Sequence, residues 1–306
     1  MKEETFTYTD SENYHLFVYK WSPEISPKSV IQLSHGMTEN TERYREFAEA
    51  LTNEGFIVYG HDHRGHGKSV EEKQMFGYCG EDGFMKCMHN VHDINLYIRE
   101  HHPELPIFLF GHSFGSFLVQ RYITLFNEPL HGVILAGTSG KQNPITTSIG
   151  RMIAKHQIKT KGIETKGTLL DHLIFGPYNK KVRHRKTKFD WLTRDEKRLN
   201  TYIQTPHTGF VCSNGFYYDL LNGLSSLHDK RMNNISKELP IFLISGDHDP
   251  VGNYGKGIRY LENRYKKVGI KDVSSRLIPD ARHEVLHELE REQHIKDMIT
   301  WFHEHL

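Results

Sequence analysis

One fifteen-residue stretch limits what this chain can fold into more than any other: Pro106-Ile-Phe-Leu-Phe-Gly-His-Ser-Phe-Gly-Ser-Phe-Leu-Val-Gln120. Residues 107–110 are an unbroken apolar run, the pattern of a strand buried on both faces. Gly111-His-Ser-Phe-Gly115 follows at once, and Phe117, Leu118, Tyr122 and Leu125 then recur at helical spacing. A strand that turns sharply into a helix holds Ser113 on strained backbone, with its hydroxyl standing clear of the sheet. A Cβ at position 111 or 115 would strike the neighbouring strand or helix, which accounts for both glycines. The helix N-terminus under the turn favours negative charge developing beside Ser113. An ordinary strand-to-helix turn has the same local pattern, so the partners of Ser113 decide its meaning.

The rest of the chain repeats the alternation. Residues 5–9 and 14–19 are rich in β-formers around Asp10-Ser-Glu-Asn13, as in an antiparallel hairpin. Further strands are expected at 30–33, 56–59, 132–136, 240–245 and 273–278. Between them lie amphipathic helices carrying Tyr44, Phe47, Ala48 and Leu51, then Phe84 through Ile98, then Ile258, Leu261, Tyr265 and Val268, with a last helix running to Leu306. Strands alternating with helices specify the α/β class: a mostly parallel central sheet with helices on both faces. Residues 141–225 interrupt the rhythm with several helical patterns and no strand, and are too long for a loop. The expected division is a core of 1–140 and 226–306 with an inserted helical cap at 141–225. Within the cap, Thr193-x-x-Glu196 reads as a capping box that opens a helix with Leu199, Tyr202 and Ile203 inward. Ile145, Ile149, Met152, Ile153, Leu169, Leu170, Leu173, Ile174 and Phe175 exceed the needs of one thin layer, and either line an acyl channel or pack the cap on the core.

Composition excludes several classes. A net charge of +1 over 306 residues argues against bulk nucleic-acid binding. No run approaches the roughly 20 apolar residues of a membrane helix, and Met1-Lys-Glu-Glu-Thr-Phe contains no apolar h-region, so no signal peptide is expected. Cys79, Cys87 and Cys212 lack metal-ligand spacing, which fits a reducing cytoplasm with no disulfide framework. The charge is uneven: residues 141–200 hold 15 Lys and Arg against 5 Asp and Glu. The densest run, 180–188, is either a solvated face or a peripheral contact with an anionic membrane.

Ligands of such sheets bind at the carboxyl ends of the strands. There the sequence places His35-Gly36-Met37, Ser113, Thr138-Ser139, Gly246-Asp-His-Asp249 and Pro279-Asp-Ala-Arg-His283. A serine hydroxyl needs a base to attack at neutral pH. His283 can take its proton and later protonate the leaving group, and Asp249 can fix the tautomer of His283. Asp247 and Asp280 compete for the acid role and His287 for that of the base; Pro250, fixing the backbone after Asp249, favours Asp249. The backbone N–H groups of Met37 and Phe114 are the expected oxyanion donors, a kind of contact worth about 100- to 1000-fold in rate. His61, His63, His66 and His112 are expected to be loop hydrogen-bonding residues, and neither a metal nor a cofactor is called for.

Taken together, His35-Gly-Met-Thr-Glu39, Asp62-His-Arg-Gly-His-Gly-Lys-Ser69, Gly111-His-Ser-Phe-Gly115, Gly246-Asp-His-Asp249 and Ala281-Arg-His-Glu-Val-Leu-His-Glu288 resemble the monoacylglycerol lipase and lysophospholipase branch of the α/β-hydrolases, grouped with the S33 serine aminopeptidases. The resemblance implies the α/β-hydrolase fold, Ser113, Asp249 and His283 as a triad, and Met37 and Phe114 as oxyanion donors. It also implies a structural loop at 64–69 and a small-molecule acyl-ester or lipid substrate, monoacylglycerol- or lysophospholipid-like, cleaved through an acyl-enzyme. A peptidase or thioesterase could use the same triad. A non-catalytic binding protein of this fold would ordinarily lack a triad member, and the Asp-nucleophile dehalogenases and epoxide hydrolases lack the serine. Acyl length, head group and oligomeric state are not encoded in these motifs.

Overall fold

The structure, a computed structural model, describes residues 1–70 and 76–306. Its centre is an eight-stranded sheet: β1 (Lys2–Thr9), β2 (His15–Ser22), β3 (Ser29–Ser34), β4 (Phe56–His61), β5 (Ile107–His112), β6 (Gly132–Ala136), β7 (Ile241–Gly246) and β8 (Val273–Ile278). The order is β1-β2-β4-β3-β5-β6-β7-β8. The first two strands pair antiparallel and the remainder run parallel. The chain winds outward from β3 in both directions, so the crevice between the ends of β3 and β5 is the switch point where such sheets hold ligands.

The buried strands show why their sequences carry no polar alternation. In β5, Leu109 belongs to the core on the side covered by α2 (Gly83–His101), α3 (Phe114–Leu125) and α8 (Lys256–Lys267), which also holds Val91, Leu118 and Leu261. Phe108 and Phe110 face the other side, against α1 (Arg45–Asn53) and α9 (Arg291–Glu304), with Phe47, Met298 and Phe302. Both faces are therefore dry, which satisfies a two-residue period without a solvent face.

Between β6 and β7 the chain forms α4 (Pro144–Lys161), α5 (Thr168–Phe175), α6 (Glu196–Gln204) and α7 (Asn214–Ser226). Asn143 caps α4 by accepting from Ile145 N at 2.9 Å, and Pro144 sits at its first turn. The cap of α6 differs from the expected box. Asp195 accepts from Lys197 N and Arg198 N, while Thr193 Oγ1 donates instead to the His287 carbonyl at 2.8 Å. A carboxylate two residues nearer the helix outcompetes the hydroxyl for its N–H groups, and the helix starts later. Leu199 and Tyr202 are buried as expected, whereas Ile203 faces outward, 41% exposed. Helix α7 packs tightly on the core: a Cβ on Gly223 would strike the ring of Phe84, and Asp219 accepts from Gly83 N at 2.8 Å.

Candidate active site

Ser113 sits between β5 and α3 at φ 51° and ψ −117°, a left-handed conformation that L residues adopt only when their surroundings enforce it. Its N–H donates to Ala136 O at 3.0 Å, and its carbonyl accepts from Phe117 N at 3.2 Å and Ser116 Oγ at 2.6 Å. The flanking glycines are sterically required. A Cβ on Gly111 would lie 2.8 Å from Gly115 O, and one on Gly115 would collide with the Ser34 carbonyl. The register places Ser34 beside Gly111, so the loop after β3 starts alongside the elbow.

The structure brings His283 and Asp249 together. His283 Nδ1 lies 3.0 Å from Asp249 Oδ2, and both side chains are buried. Asp249 also accepts from Ser245 Oγ at 3.0 Å and, through its other oxygen, from Val251 N at 2.8 Å. With these contacts its carboxylate is held at three points. The alternative carboxylates are elsewhere: Asp247 pairs with His248 at 2.6 Å near the surface, and Asp280 occupies an exposed turn at φ 61°. His287 does not reach Asp249 either. It lies on the short turn Val285–His287, where burial pulls its pKa down to about 4. Trp191, in the segment between β6 and β7, packs against the base. Its carbonyl accepts from His283 N at 3.4 Å, and the two rings lie 5.0 Å apart.

The Met37 loop is fixed by a buried charge cluster. Gly36 N donates to Glu39 Oε1 at 2.6 Å, and Tyr44 Oη to the same oxygen at 2.8 Å. Arg43 pairs with Glu39 and grips Glu284 with two bonds of 2.8 Å. His112 Nδ1 approaches Glu39 at 3.2 Å, and its Nε2 lies 3.5 Å from the His283 carbonyl. Burial alone would lower the pKa of His112, but the hydrogen bond and charge of Glu39 raise it above its ordinary value. For Glu39, burial alone would raise the pKa, yet Arg43 and His112 hold it well below the carboxylate range. Tyr202 of α6 joins the cluster, its hydroxyl 2.9 Å from Thr38 Oγ1 and its ring under the Arg43 guanidinium. Met37 N–H has no partner among the described residues. Phe114 N–H opens α3, where no intrahelical acceptor exists. The two expected oxyanion donors thus lie on adjacent strand ends, each free to bind a ligand oxygen.

Of the four histidines expected to hydrogen-bond in loops, His61 and His112 instead end strands β4 and β5, and His61, His63 and His66 are fully buried. With His35 they form a cluster of tilted and edge-on rings in which His63 N donates to His35 Nε2 at 2.9 Å and His63 Nδ1 lies 3.2 Å from His61 Nε2. Beside it, Arg64 binds Asp10 and Asn90, and Ser69 Oγ donates to Asp62 O at 2.6 Å. The 64–69 loop therefore props the floor under Phe114, whose ring packs against His66. No group of three or more His, Cys, Asp or Glu side chains that could hold a metal occurs among the described residues.

Ser113, Phe114, Met37, His112 and His283 open into one cavity of about 1250 Å³. Ile149 and Ile153 of α4 and Leu170, Leu173, Ile174 and Phe175 of α5 line it, whereas Ile145, Met152 and Leu169 point to solvent, 71%, 70% and 45% exposed. Two of the residues that shape the site, Glu39 and Glu284, stood within recognisable motifs but carried no readable role. The spacing of Glu39 and Arg43, one helical turn apart, is the signal that could have found the pair. Nothing in the sequence pointed to Trp191, which reaches His283 only through the tertiary fold.

A family model described as serine aminopeptidase, S33, matches residues 25–290. The chain is 26% identical over 294 residues to the monoglyceride lipase of Rattus norvegicus, across 92% of this chain and 87% of that protein. It is 26% identical over 295 residues to the monoacylglycerol lipase of Mycolicibacterium smegmatis, across 94% and 92%. Among solved structures it matches a highly thermostable carboxyl esterase from Bacillus coagulans, in complex with glycerol, with a TM-score of 0.90 and 26% identity over 100% of this chain and 99% of that one. A soluble variant of the monoglyceride lipase from Saccharomyces cerevisiae, in complex with a substrate analog, shares the fold with a TM-score of 0.78 at 18% identity, over 100% and 95% of the two chains.

Proposed function

The chain belongs to the serine aminopeptidase, S33, family of α/β-hydrolases, and from that premise we propose that it is a serine carboxylester hydrolase acting on monoacylglycerol-like esters. The observation that carries this reading is the Asp249–His283 pair, bonded at 3.0 Å beside a strained Ser113 at the floor of a largely apolar cavity. In the proposed reaction His283 takes the Ser113 proton as the oxygen attacks the ester carbonyl. Asp249 holds the Nδ1–H tautomer and stabilises the imidazolium. The Met37 and Phe114 N–H groups bind the oxyanion. His283 then protonates the departing alcohol, and water, activated by the same imidazole, releases the acid from Ser113. In this reading residues 141–225 act as the cap over a core of 1–140 and 226–306, and select the acyl chain.

Replacing Ser113 by Ala should abolish hydrolysis of p-nitrophenyl butyrate and labelling by a fluorophosphonate, with an unchanged melting temperature. Retained turnover would exclude this nucleophile. An aminopeptidase needs an acidic group for the substrate's α-ammonium, and the cavity carboxylates Glu39, Glu284 and Asp171 are all engaged by Arg43 or Tyr217. That favours the ester over the peptide.

A peripheral membrane contact through the cap fits the same reading. The basic run Lys180–Lys188 and the exposed apolar side chains of Ile145, Met152 and Leu169 supply the charge and the apolar area such a contact uses. Equal co-sedimentation with anionic and neutral vesicles at low salt would remove the electrostatic part. No helix among the described residues is long and apolar enough to cross a membrane. The three cysteines are free and buried, which supports a reducing cytoplasmic setting.

A further inference from the structure

We propose that Ser116, Thr138 and Gln120 are positioning residues of the oxyanion site, a buried hydrogen-bond relay that ends on the Ser113 carbonyl and so aims and strengthens the Phe114 N–H. This rests on the ester-hydrolase reading of Ser113, in which the N–H groups of Phe114 and Met37 bind the oxyanion. The Ser113 carbonyl and the Phe114 N–H belong to one planar peptide group. A donor on that oxygen therefore fixes the direction of the N–H, and by polarising the amide makes it a better donor. Ser116 Oγ makes this contact, at 2.6 Å. The same hydroxyl lies 2.8 Å from Thr138 Oγ1, to which Gln120 Nε2 donates at 2.7 Å. All three side chains are buried.

The acceptors set the direction of the relay. A carbonyl oxygen can only accept and a hydroxyl has one proton, so Ser116 donates to Ser113 O and Thr138 donates to Ser116. Gln120 Nε2 also reaches the Ser139 carbonyl at 3.3 Å, which turns the NH2 of the amide toward Thr138. A hydroxyl bonded to the carbonyl three residues back is ordinary in a helix, and Thr52 and Thr124 do the same with Glu49 and Arg121. Ser116 differs in its second partner, which stands just past the end of β6. That strand end is fixed against the rest of the triad. Ala136 O accepts from Ser113 N at 3.0 Å, and Gly137 N donates to Ile244 O at 2.9 Å. Gly137 has φ 54°, and a Cβ there would lie 3.0 Å from His283 Cε1. One on Gly252 would lie 3.3 Å from Thr138 O and 3.7 Å from Asp249 Oδ2. Thr138 thus ties the Ser113–Phe114 peptide to the position of the base and the acid. The second oxyanion peptide is held in the same manner. Gly36 O belongs to the peptide that carries the Met37 N–H, and it accepts from His35 Nδ1 at 2.7 Å. His35 Nε2 accepts from His63 N at 2.9 Å, which leaves the ring proton on Nδ1. Two peptides that must present N–H groups to one oxygen each have a buried side-chain donor on their carbonyl.

Ser116→Ala removes the terminal donor and adds no bulk. On a butyryl ester kcat should fall about tenfold, a part of the roughly 100- to 1000-fold that a whole oxyanion donor supplies, with KM within twofold. Inhibitor binding should split in the same way. The dissociation constant of a trifluoromethyl ketone, which adds to Ser113 as a tetrahedral oxyanion, should rise about tenfold, while that of the matching methyl ketone, bound unreacted, should not move. A packing role for Ser116 would shift the melting temperature and leave the ratio of the two constants alone. Thr138 supplies a second test should Ser116→Ala fail to fold. Thr138→Ser keeps the hydroxyl and loses a methyl group, whereas Thr138→Val keeps the shape and loses the hydroxyl. The relay requires kcat near wild type for Thr138→Ser and several-fold lower for Thr138→Val; packing alone requires the reverse order. Thr138→Val added to Ser116→Ala should cost little beyond Ser116→Ala alone, because both cut one chain. An unmoved ketone ratio in Ser116→Ala, a Thr138→Val enzyme at least as active as Thr138→Ser, or fully additive losses in the double variant would overturn the proposal. Failure of the underlying reading looks different: the wild-type protein cleaves no ester and a fluorophosphonate leaves Ser113 unlabelled.

Discussion

The floor and the roof of the cavity are built on opposite principles. On the floor, Glu39, Arg43, Glu284, His112 and Tyr44 join the loop after β3 to the loop after β8 through directional contacts, and Glu39 and Glu284 are only 2% and 4% exposed. On the roof, Ile149 and Leu173 line the same cavity while 51% and 48% exposed, and nothing polar fixes them. Developing charge must meet its donors within a few tenths of an ångström, and only hydrogen bonds and ion pairs with directional geometry hold atoms to that tolerance. An acyl chain asks only for apolar surface, and non-directional contacts can rearrange around different lengths. If this division is right, changes to the floor act on rate and stability together, whereas changes to the roof act on substrate choice.

The largest effect should follow from Asp249→Asn. The amide keeps a carbonyl for Val251 N but favours the wrong tautomer of His283, and kcat should fall about 10⁴-fold. The melting temperature should move by no more than a few degrees. A loss under tenfold would take Asp249 out of the acid role and return Asp247 to consideration.

Acid should strike the floor next. Burial holds His35 and His61 at a pKa of about 3, His66 at about 4, and His63 well below the imidazole range. In the unfolded chain each titrates near 6.5. Between pH 6.5 and 4 the unfolded chain thus binds more protons than the native one. Stability is complete above about pH 6.5 and falls as the pH drops, by up to about 1.4 kcal/mol per pH unit for each histidine. Asp62 works in the opposite direction. Burial raises its pKa to about 6, so between roughly 4 and 6 the native state holds a proton that the unfolded state lacks, offsetting one histidine. Urea melts at pH 7, 6 and 5 should show a steep decline, and a flat profile would mean that the cluster is hydrated.

Arg43→Met isolates the ion-pair network. It leaves two buried carboxylates facing each other without their shared cation, a change that typically costs 3–5 kcal/mol. With Glu39 displaced, Gly36 and the neighbouring Met37 N–H lose their anchor, so kcat should fall in parallel with stability. A variant of near-wild-type stability whose kcat is unchanged would show that the loop is held by its backbone alone.

The legibility of the sequence divides along the same line. The sheet, its helices and the facing of β5 follow from apolar runs and turn glycines, because burial on both faces leaves a local imprint. Ser113, Asp249 and His283 stood at strand ends, where topology converts chain order into proximity. The cap helix at Glu196–Gln204 was misplaced at its start because two nearby side chains, Thr193 and Asp195, could both cap it, and only the position of His287 takes Thr193 away. Ile145, Met152 and Leu169 resembled channel residues by hydropathy alone; on helices that cover a cavity with one face, phase decides lining or exposure, and the sequence carries no reference for that phase. The Trp191 contact with His283 joins residues 92 positions apart and could not be anticipated from either segment.

The smallest effect should come from the roof itself. Ile149 lines the cavity from α4 and is half exposed, so Ile149→Ala removes little buried area, and stability should change by less than about 0.5 kcal/mol. The lost methyl groups matter only to a substrate long enough to touch them. KM should rise a few-fold for long-chain monoacylglycerols and stay within twofold for a butyryl ester, with kcat on the short ester preserved, because the floor is untouched. An acyl-length profile from four to sixteen carbons reads this directly. A uniform drop across all lengths would mean that the cap transmits force to the floor, through Tyr202 and Thr38 or through Trp191 and His283, and that the two halves of the cavity are one mechanical unit.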